Sequence, residues 1–149
     1  MGATVLVRPA HARDDAPAQA LLKRAGLPLD GYEQFWRRWV ATHRNGELAG
    51  VVALERHGSP PVYLLRSLAV APDQRGTGLG AALVRTALAA ADAHEHGRAG
   101  VGLLTETAAG YFDRFGFTAT DRAGLPAALS ASAELTGACP ATATAYWRA

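Results

Sequence analysis

The segment from Val62 to Gly80 restricts the fold of this 149-residue chain more than any other. Val62-Tyr63-Leu64-Leu65-Arg66-Ser67-Leu68-Ala69-Val70 is apolar on both faces except at Arg66 and Ser67, the pattern of a central strand covered on either side. After Ala71-Pro72-Asp73 the glycine run Arg75-Gly76-Thr77-Gly78-Leu79-Gly80 leads into a predicted long helix. Leu79, Ala82, Leu83, Thr86 and Ala90 hold one face of it until Gly97 caps it. A strand that hands over to a glycine turn and a helix aims several backbone N–H groups, and the positive end of the helix dipole, at one point. Gly76, Gly78 and Gly80 keep side chains away from those amides, and glycine tolerates the positive φ that such a nest requires. The anion that suits this point is a pyrophosphate. A P-loop would need the lysine of Gly-x-x-x-x-Gly-Lys-Ser/Thr, which is missing. A dinucleotide fingerprint would need Gly-x-Gly-x-x-Gly on an early strand, whereas this chain has Gly-x-Gly-x-Gly in mid-chain. The other alternative is a helix start that is merely glycine-rich, and against it stand the preceding strand, Arg75 and the spacing of the three glycines.

The rest of the chain supplies elements for one α/β domain over residues 1–149. Thr4-Val5-Leu6-Val7 reads as a strand stopped by Pro9, and a helix follows from Asp14-Asp15 with Ala18, Leu21 and Leu22 at i, i+3, i+4. Gly26-Leu27-Pro28 ends that helix, and a second, short one is expected from Asp30 or Gly31, carrying Tyr32, Phe35, Trp36 and Trp39 at helical spacing. Asn45-Gly46 marks a hairpin turn and His57-Gly58-Ser59-Pro60-Pro61 a second connection, so three antiparallel strands are predicted over 39–44, 47–56 and 62–70. Beyond Gly97 the chain predicts a strand over 101–105, a short helix over 108–115 broken by Gly116, and a strand over 117–120. A helical piece over 126–135 and a closing strand over 141–148 complete the series.

Charge and cysteine content narrow the partners. The net charge of +2 and a pI near 9.0 are mild, and no basic cluster is longer than Arg37-Arg38, so nucleic acid is not an expected partner. No stretch is apolar enough to span a membrane. The single cysteine, Cys139, closes no intramolecular disulfide, and the N-terminus lacks a basic-then-apolar signal region, so the cytoplasm is the expected compartment. Cys139 before Pro140 reads as a small buried hydrophobe. His94 and His96, two apart at a helix end, do not face one another, so no metal is expected.

Leu68-Ala69-Val70-x-Pro72-x-x-Arg75-x-x-Gly78-x-Gly80 resembles the acetyl-CoA motif, Arg/Gln-x-x-Gly-x-Gly/Ala, of the GNAT N-acetyltransferases. Tyr111-Phe112-x-x-Phe115-Gly116-Phe117 resembles that family's fourth helix and following strand, and the order of elements matches over nearly the whole chain. A narrower likeness, to the arsenic-resistance subfamily and to short N-acetylglutamate-synthase-like proteins, is carried by Leu65-Arg66-Ser67-Leu68-Ala69-Val70 and Leu103-Leu104-Thr105. Asp121-Arg122-x-x-Leu125-Pro126 and Cys139-Pro140 carry it further. The resemblance implies a mixed α/β (α+β) GNAT fold, its mostly antiparallel sheet flanked by helices and splayed between the fourth and fifth strands. It also implies acetyl-CoA as co-substrate, with no metal. The pantetheine arm would bond to the backbone of Leu68, Ala69 and Val70, the pyrophosphate would lie on Arg75, Gly76, Thr77, Gly78, Leu79 and Gly80, and Phe112 would sit close by. The Val70 N–H would then polarise the thioester carbonyl. The implied reaction is direct acetyl transfer to the primary amine of a small, carboxylate-bearing molecule, an amino acid or an amino-acid-like toxin or antibiotic, by an enzyme whose relatives often pair as homodimers.

An amine that is mostly protonated at neutral pH needs a base, and a departing thiolate gains from an acid. Glu106, at the end of the fifth strand, and Glu55, on the third, are the candidate bases; the other readings are a helix N-terminal charge for Glu106 and a solvated strand-end charge for Glu55. Many enzymes that the chain resembles carry a Tyr acid four residues before the Gly of the Gly-Phe pair, where this chain has Phe112. Tyr111 is one residue earlier, and adjacent residues of an α-helix are turned about 100° apart, so Tyr111 is not expected to replace it. Arg66 and Ser67 have opposite parity and are expected on opposite faces of their strand, one of them toward substrate. Arg66 at the splay either binds a carboxylate with two hydrogen bonds or is a buried, paired structural residue. Tyr32, Phe35, Trp36 and Trp39 either roof the cleft or pack in the core. Phe112 in the acid position also admits a catalytically silent acyl-CoA sensor, and a protein N-acetyltransferase is the third reading.

Overall fold

The computed structural model describes residues 5–106 and 110–149. Among the described residues seven strands form one sheet: β1 (Leu6–Pro9), β2 (Arg37–Thr42), β3 (Leu48–His57), β4 (Val62–Val70), β5 (Val101–Thr105), β6 (Thr118–Thr120) and β7 (Thr144–Arg148). Their order is β1-β2-β3-β4-β5-β7-β6, and every neighbouring pair is antiparallel except β4 and β5. Helix α1 (Asp15–Arg24) has an acid in its first turn and Lys23 and Arg24 in its last, each complementing the dipole. Its Ala18, Leu21 and Leu22 pack with Val40, Val51 and Ala69 on one face of the sheet. Helix α2 (Leu79–His94) packs Leu83, Val84, Ala87, Leu88 and Ala91 on the other, against Trp39, Ala41, Val52 and Leu54. The period-2 alternation of β2 and β3 thus feeds two cores, with Val51 in one and Val52 in the other.

Three sequence expectations need correction here. Residues 30–33 form only turns, closed by Tyr32 N–H to Leu29 O and Gln34 N–H to Gly31 O, and no second helix forms. Pairing with β3 claims the segment instead: Trp36 N–H already donates to Leu54 O at 2.7 Å, and β2 follows at once. Tyr32 and Phe35 then clasp the Arg38 guanidinium (3.7 and 3.9 Å from the ring centroids), while Trp36 stacks edge-on with Tyr63 and His94. The buried stripe of α2 is turned from the expected one, with Ala82 exposed and Thr86 and Ala90 half-buried, because a helix this rich in alanine marks its face only through Leu79, Leu83, Val84 and Leu88. The left-handed residue that ends α2 is His96 (φ 56°), not Gly97: His96 N–H bonds to Ala93 O and Gly97 N–H to Asp92 O in a Schellman arrangement.

The Asn45-Gly46 hairpin, β4 and β5 lie where the spacing predicts them. The start of the first strand at Thr4 and that of the helix predicted over 108–115 lie outside the described residues. The described remainder of that helix, Tyr111–Phe115, is a 3-10 turn entered from Gly110, and the piece expected over 126–135 resolves into a 3-10 turn (Ala127–Ala131) and an irregular turn (Glu134–Ala138).

Candidate active site

β4 and β5 pair at only two positions, Tyr63↔Val101 and Leu64↔Gly102, and beyond them the strands part. The wedge that opens is a cleft of about 670 Å³, walled by Leu65, Arg66, Ser67, Leu68 and Val70 of β4, by β5 from Leu103, by residues 25–28 after α1, and by Tyr111, Phe112, Glu134 and Cys139. Antiparallel pairing fixes which peptide groups of β4 face it. Ala71 N–H donates to Ala49 O, so the alternate residues Leu68 and Val70 turn their N–H and C=O away from β3 and into the wedge. Ala69, opposite Val51, turns its own toward β3 and contributes no backbone donor.

The glycine run closes one end of the wedge, with Arg75 and Gly80 lining it. Gly76 (φ 78°) and Gly78 (φ 86°) adopt the left-handed conformation, and Gly78 is the N-cap of α2. Among the described residues nothing accepts from the N–H of Gly76, Gly78, Leu79 or Gly80, whereas Arg75 and Thr77 N–H make long 3.4 Å bonds to Pro72 O and Gln74 O. Four free amides at a helix start fit an anion of pyrophosphate type. A methyl on Gly80 would come within 3.3 Å of the Tyr111 hydroxyl and 3.6 Å of Val70, so glycine preserves the approach between loop, strand and tyrosine.

Tyr111 therefore stands in the cleft beside Gly80. Tyr111 and Phe112 both line the wedge, Tyr111 with its hydroxyl beside Gly80 and Phe112 (4% exposed) from the aromatic core it shares with Phe117 and Tyr146. The Tyr111 hydroxyl makes no hydrogen bond to a described residue.

Along the wedge wall, Arg66 and Ser67 share a face. A bulge between the Val51↔Ala69 and Ala53↔Arg66 pairs puts Ser67 in a left-handed conformation (φ 58°), and core membership reverses across it: Leu65, Leu68 and Val70 face α2, Leu64 and Ala69 the opposite side. Arg66 Nε donates to Ser67 Oγ (3.1 Å), Nη1 to Glu55 Oε2 (2.8 Å) and Nη2 to Asp30 O (2.8 Å). Of its two readings, the buried and paired one fits. Glu55, 1% exposed, is no solvated strand-end charge; its oxygens also bond His57 Nε2 (2.7 Å) and Ser132 Oγ (3.1 Å), and it lies behind the cleft wall. Glu106 is exposed at the rim.

Glu134 was not foreseen. It is 5% exposed, lines the cleft, and sets Oε2 3.4 Å from Arg66 Nε. Burial pushes its carboxyl up to about 7, the Arg66 charge opposing and Glu55 adding to the rise. The neighbouring Cys139 thiol, hydrogen-bonded to Glu134, is pushed up to about 12 by burial and by that carboxylate, so it is a thiol and no nucleophile. The only sequence signal for Glu134 is a lone carboxylate between Ala131 and Cys139, in a stretch without periodicity. A second, more open groove near the β2–β3 hairpin, lined by Arg8, Arg13 and Arg44, meets neither wedge nor glycine run, and its Arg8 is paired with Asp14. Among the described residues no three His, Cys, Asp or Glu side chains are grouped to hold a metal, and no helix is long and apolar enough to cross a membrane.

Residues 33–119, more than half of the chain, match the acetyltransferase (GNAT) domain, and the chain belongs to that family. No curated protein matches its sequence. Among solved structures it is similar to N-acetylglutamate synthase from Neisseria gonorrhoeae complexed with coenzyme A and N-acetyl-glutamate (22% identity, TM-score 0.76), covering 99% of this chain but 35% of that one. It is also similar to a GNAT-family acetyltransferase of Staphylococcus aureus Mu50 (13%, TM-score 0.75), covering 97% and 98% of the two chains. A third similar structure is the GNAT N-acetyltransferase YhbS from Escherichia coli in complex with CoA (27%, TM-score 0.62; 79% and 71% covered). The chain thus spans about a third of the length of the gonococcal synthase.

Proposed function

We propose that this chain, as one domain over residues 1–149, transfers the acetyl group of acetyl-CoA directly to the primary amine of a small, carboxylate-bearing molecule. The observation that carries this reading is the wedge itself, with unpaired amides of the glycine run at one end and a buried carboxylate at the other. Acetyl-CoA supplies the activated acyl group. Gly76, Gly78, Leu79 and Gly80 hold its pyrophosphate, with Arg75 and Thr77 beside them; Leu68 and Val70 bind the pantetheine arm, the Val70 N–H stabilises the developing oxyanion, and Phe112 backs the wall. Tyr111 replaces the missing acid and protonates the leaving thiolate. The gonococcal synthase, holding N-acetyl-glutamate beside CoA in the same fold, supports an amino-acid acceptor. Arg66 does not add to that support, since its guanidinium already serves Glu55, Asp30 and Ser67.

The finer likeness to the arsenic-resistance subfamily extends the acceptor class to amine-bearing arsenicals. A single thiol does not chelate the metalloid, so any such role is acetylation. Two of the segments that carry the likeness hold each other: Arg122 donates to the carbonyls of Cys139 and Pro140. A cytoplasmic location and a homodimer complete the proposal.

The test is free-thiol release from acetyl-CoA with a panel of amino acids, glutamate included, and of amine-bearing phosphinic and arsinic acids. Saturable turnover with one acceptor class is the expected result. Acetyl-CoA binding without release of CoA from any amine would favour the sensor, and mass-spectrometric acetylation of peptides in preference to the panel would favour a protein substrate.

A further inference from the structure

We propose that Glu134 is the general base of the acyl transfer, a proposal that rests on the transferase reading above. Two described carboxylates line the wedge, Glu106 and Glu134. Glu106 is exposed at the mouth, where water competes for any proton it handles; Glu134 sits inside, fixed from three sides. Its N–H donates to Ser132 Oγ (3.2 Å), Arg66 Nε from β4 lies 3.4 Å from its Oε2, and the Cys139 thiol of its own segment bonds to it. Glu55 of β3 stands behind Arg66 with His57 on its far oxygen, so the charges acting on Glu134 are one guanidinium already shared with Glu55 and the Glu55 carboxylate itself. The carboxyl, pushed up to about 7, takes up and gives back a proton at neutral pH, the property a general base requires.

The step balances. The amine lone pair forms the C–N bond to the thioester carbon while the carbonyl π pair moves onto oxygen, and as that oxyanion collapses the C–S bond breaks and its electron pair leaves on sulfur. The extra nitrogen proton passes to Glu134, the thiolate takes a proton from Tyr111 or water, and Glu134 and Tyr111 return to their starting states by exchange with solvent. Arg66 is a positioning residue, since it holds Glu134 against β4 without reaching the reacting atoms.

The test compares wild type with Glu134→Gln, Glu134→Asp and Glu106→Gln in kcat/KM from pH 5 to 9, with acetyl-CoA affinity measured on each protein. Glu134→Gln is expected to bind acetyl-CoA as wild type does, to lose about 100-fold in kcat/KM at pH 7 and to lose the acidic limb near pH 7. Glu134→Asp recovers part of the rate, and Glu106→Gln keeps the limb. Loss of the limb in Glu106→Gln with its retention in Glu134→Gln overturns the assignment but leaves the transferase reading intact. A wild type that acetylates no amine overturns both. Where the variants perturb folding, carbon-13 NMR of glutamate-labelled wild-type protein decides: a Glu134 carboxyl titrating near 7 supports the proposal, and one ionised throughout from pH 5 contradicts it.

Discussion

Asp14 accepts from both terminal nitrogens of Arg8 (2.7 and 3.0 Å) and from His11 N–H (2.8 Å). The Arg8 hydrogen bonds first, against the cost of burial, hold its carboxyl down to about 2. Its folded-state value lies below the unfolded one, so its contribution to stability is present above about pH 4 and disappears as the pH falls through 2. Asp14→Asn should cost about 1 kcal/mol at pH 7, discounted for the partly exposed Arg8. Urea unfolding should show the two proteins converging toward pH 2, and a gap that persists there would remove the ion pair from the account. Glu134 has the opposite sign. Raised to about 7, it favours the folded state while protonated, and that advantage is lost as the pH rises from its unfolded value through 7. Glu134→Gln should therefore unfold at a higher temperature than wild type at pH 8, by up to about 3 kcal/mol of stability, with the difference shrinking by pH 5; a destabilised variant at pH 8 would mean that the carboxylate is better solvated than its burial implies.

At the scale of elements, the handover from β4 to α2 decides what the fold can hold. Gly78→Val places a β-branched side chain at φ 86°, where open space lies around it but the backbone resists. Calorimetry should find acetyl-CoA binding abolished in a protein whose circular dichroism remains that of wild type, and unchanged affinity would remove the glycine run from the site. At the other end of α2, His96→Gly should stabilise the chain by about 0.5 kcal/mol, the relief of left-handed strain less the entropy that glycine loses on folding; thermal unfolding that shows no gain would mean that the His96 side chain contributes elsewhere. The same elements explain what the sequence could and could not disclose. The glycine run was legible because backbone chemistry is written in the residues that perform it, and β4 because an apolar run closed by Pro72 leaves few alternatives. The bulge at Ser67 was hidden, since one left-handed residue breaks the period on which facial assignment rests. The turn at Tyr111–Phe115 was hidden as well, since a 3-10 turn stands where an α-helix was expected. Glu134 and its partners are joined across 79 positions of chain, from Glu55 to Glu134, by an irregular segment to which no periodicity applies.

For the whole molecule, the one parallel junction among the described strands is what opens the cleft. Antiparallel pairing continues on both sides of it, from β1 to β4 and from β5 through β7 to β6, while β4 and β5 are joined at two residue pairs and then separate. A sheet that parts exposes peptide groups that must find partners, and Leu68 and Val70 face the gap at the same end as the unpaired amides of α2. The most direct measurement is an amide-resolved NMR titration of the full chain with acetyl-CoA. The account predicts that the largest shifts fall on Gly76, Gly78, Leu79 and Gly80, with Leu68 and Val70 next. Saturable binding that leaves those six amides unmoved, and shifts instead the residues around Arg8 and Arg44, would contradict it.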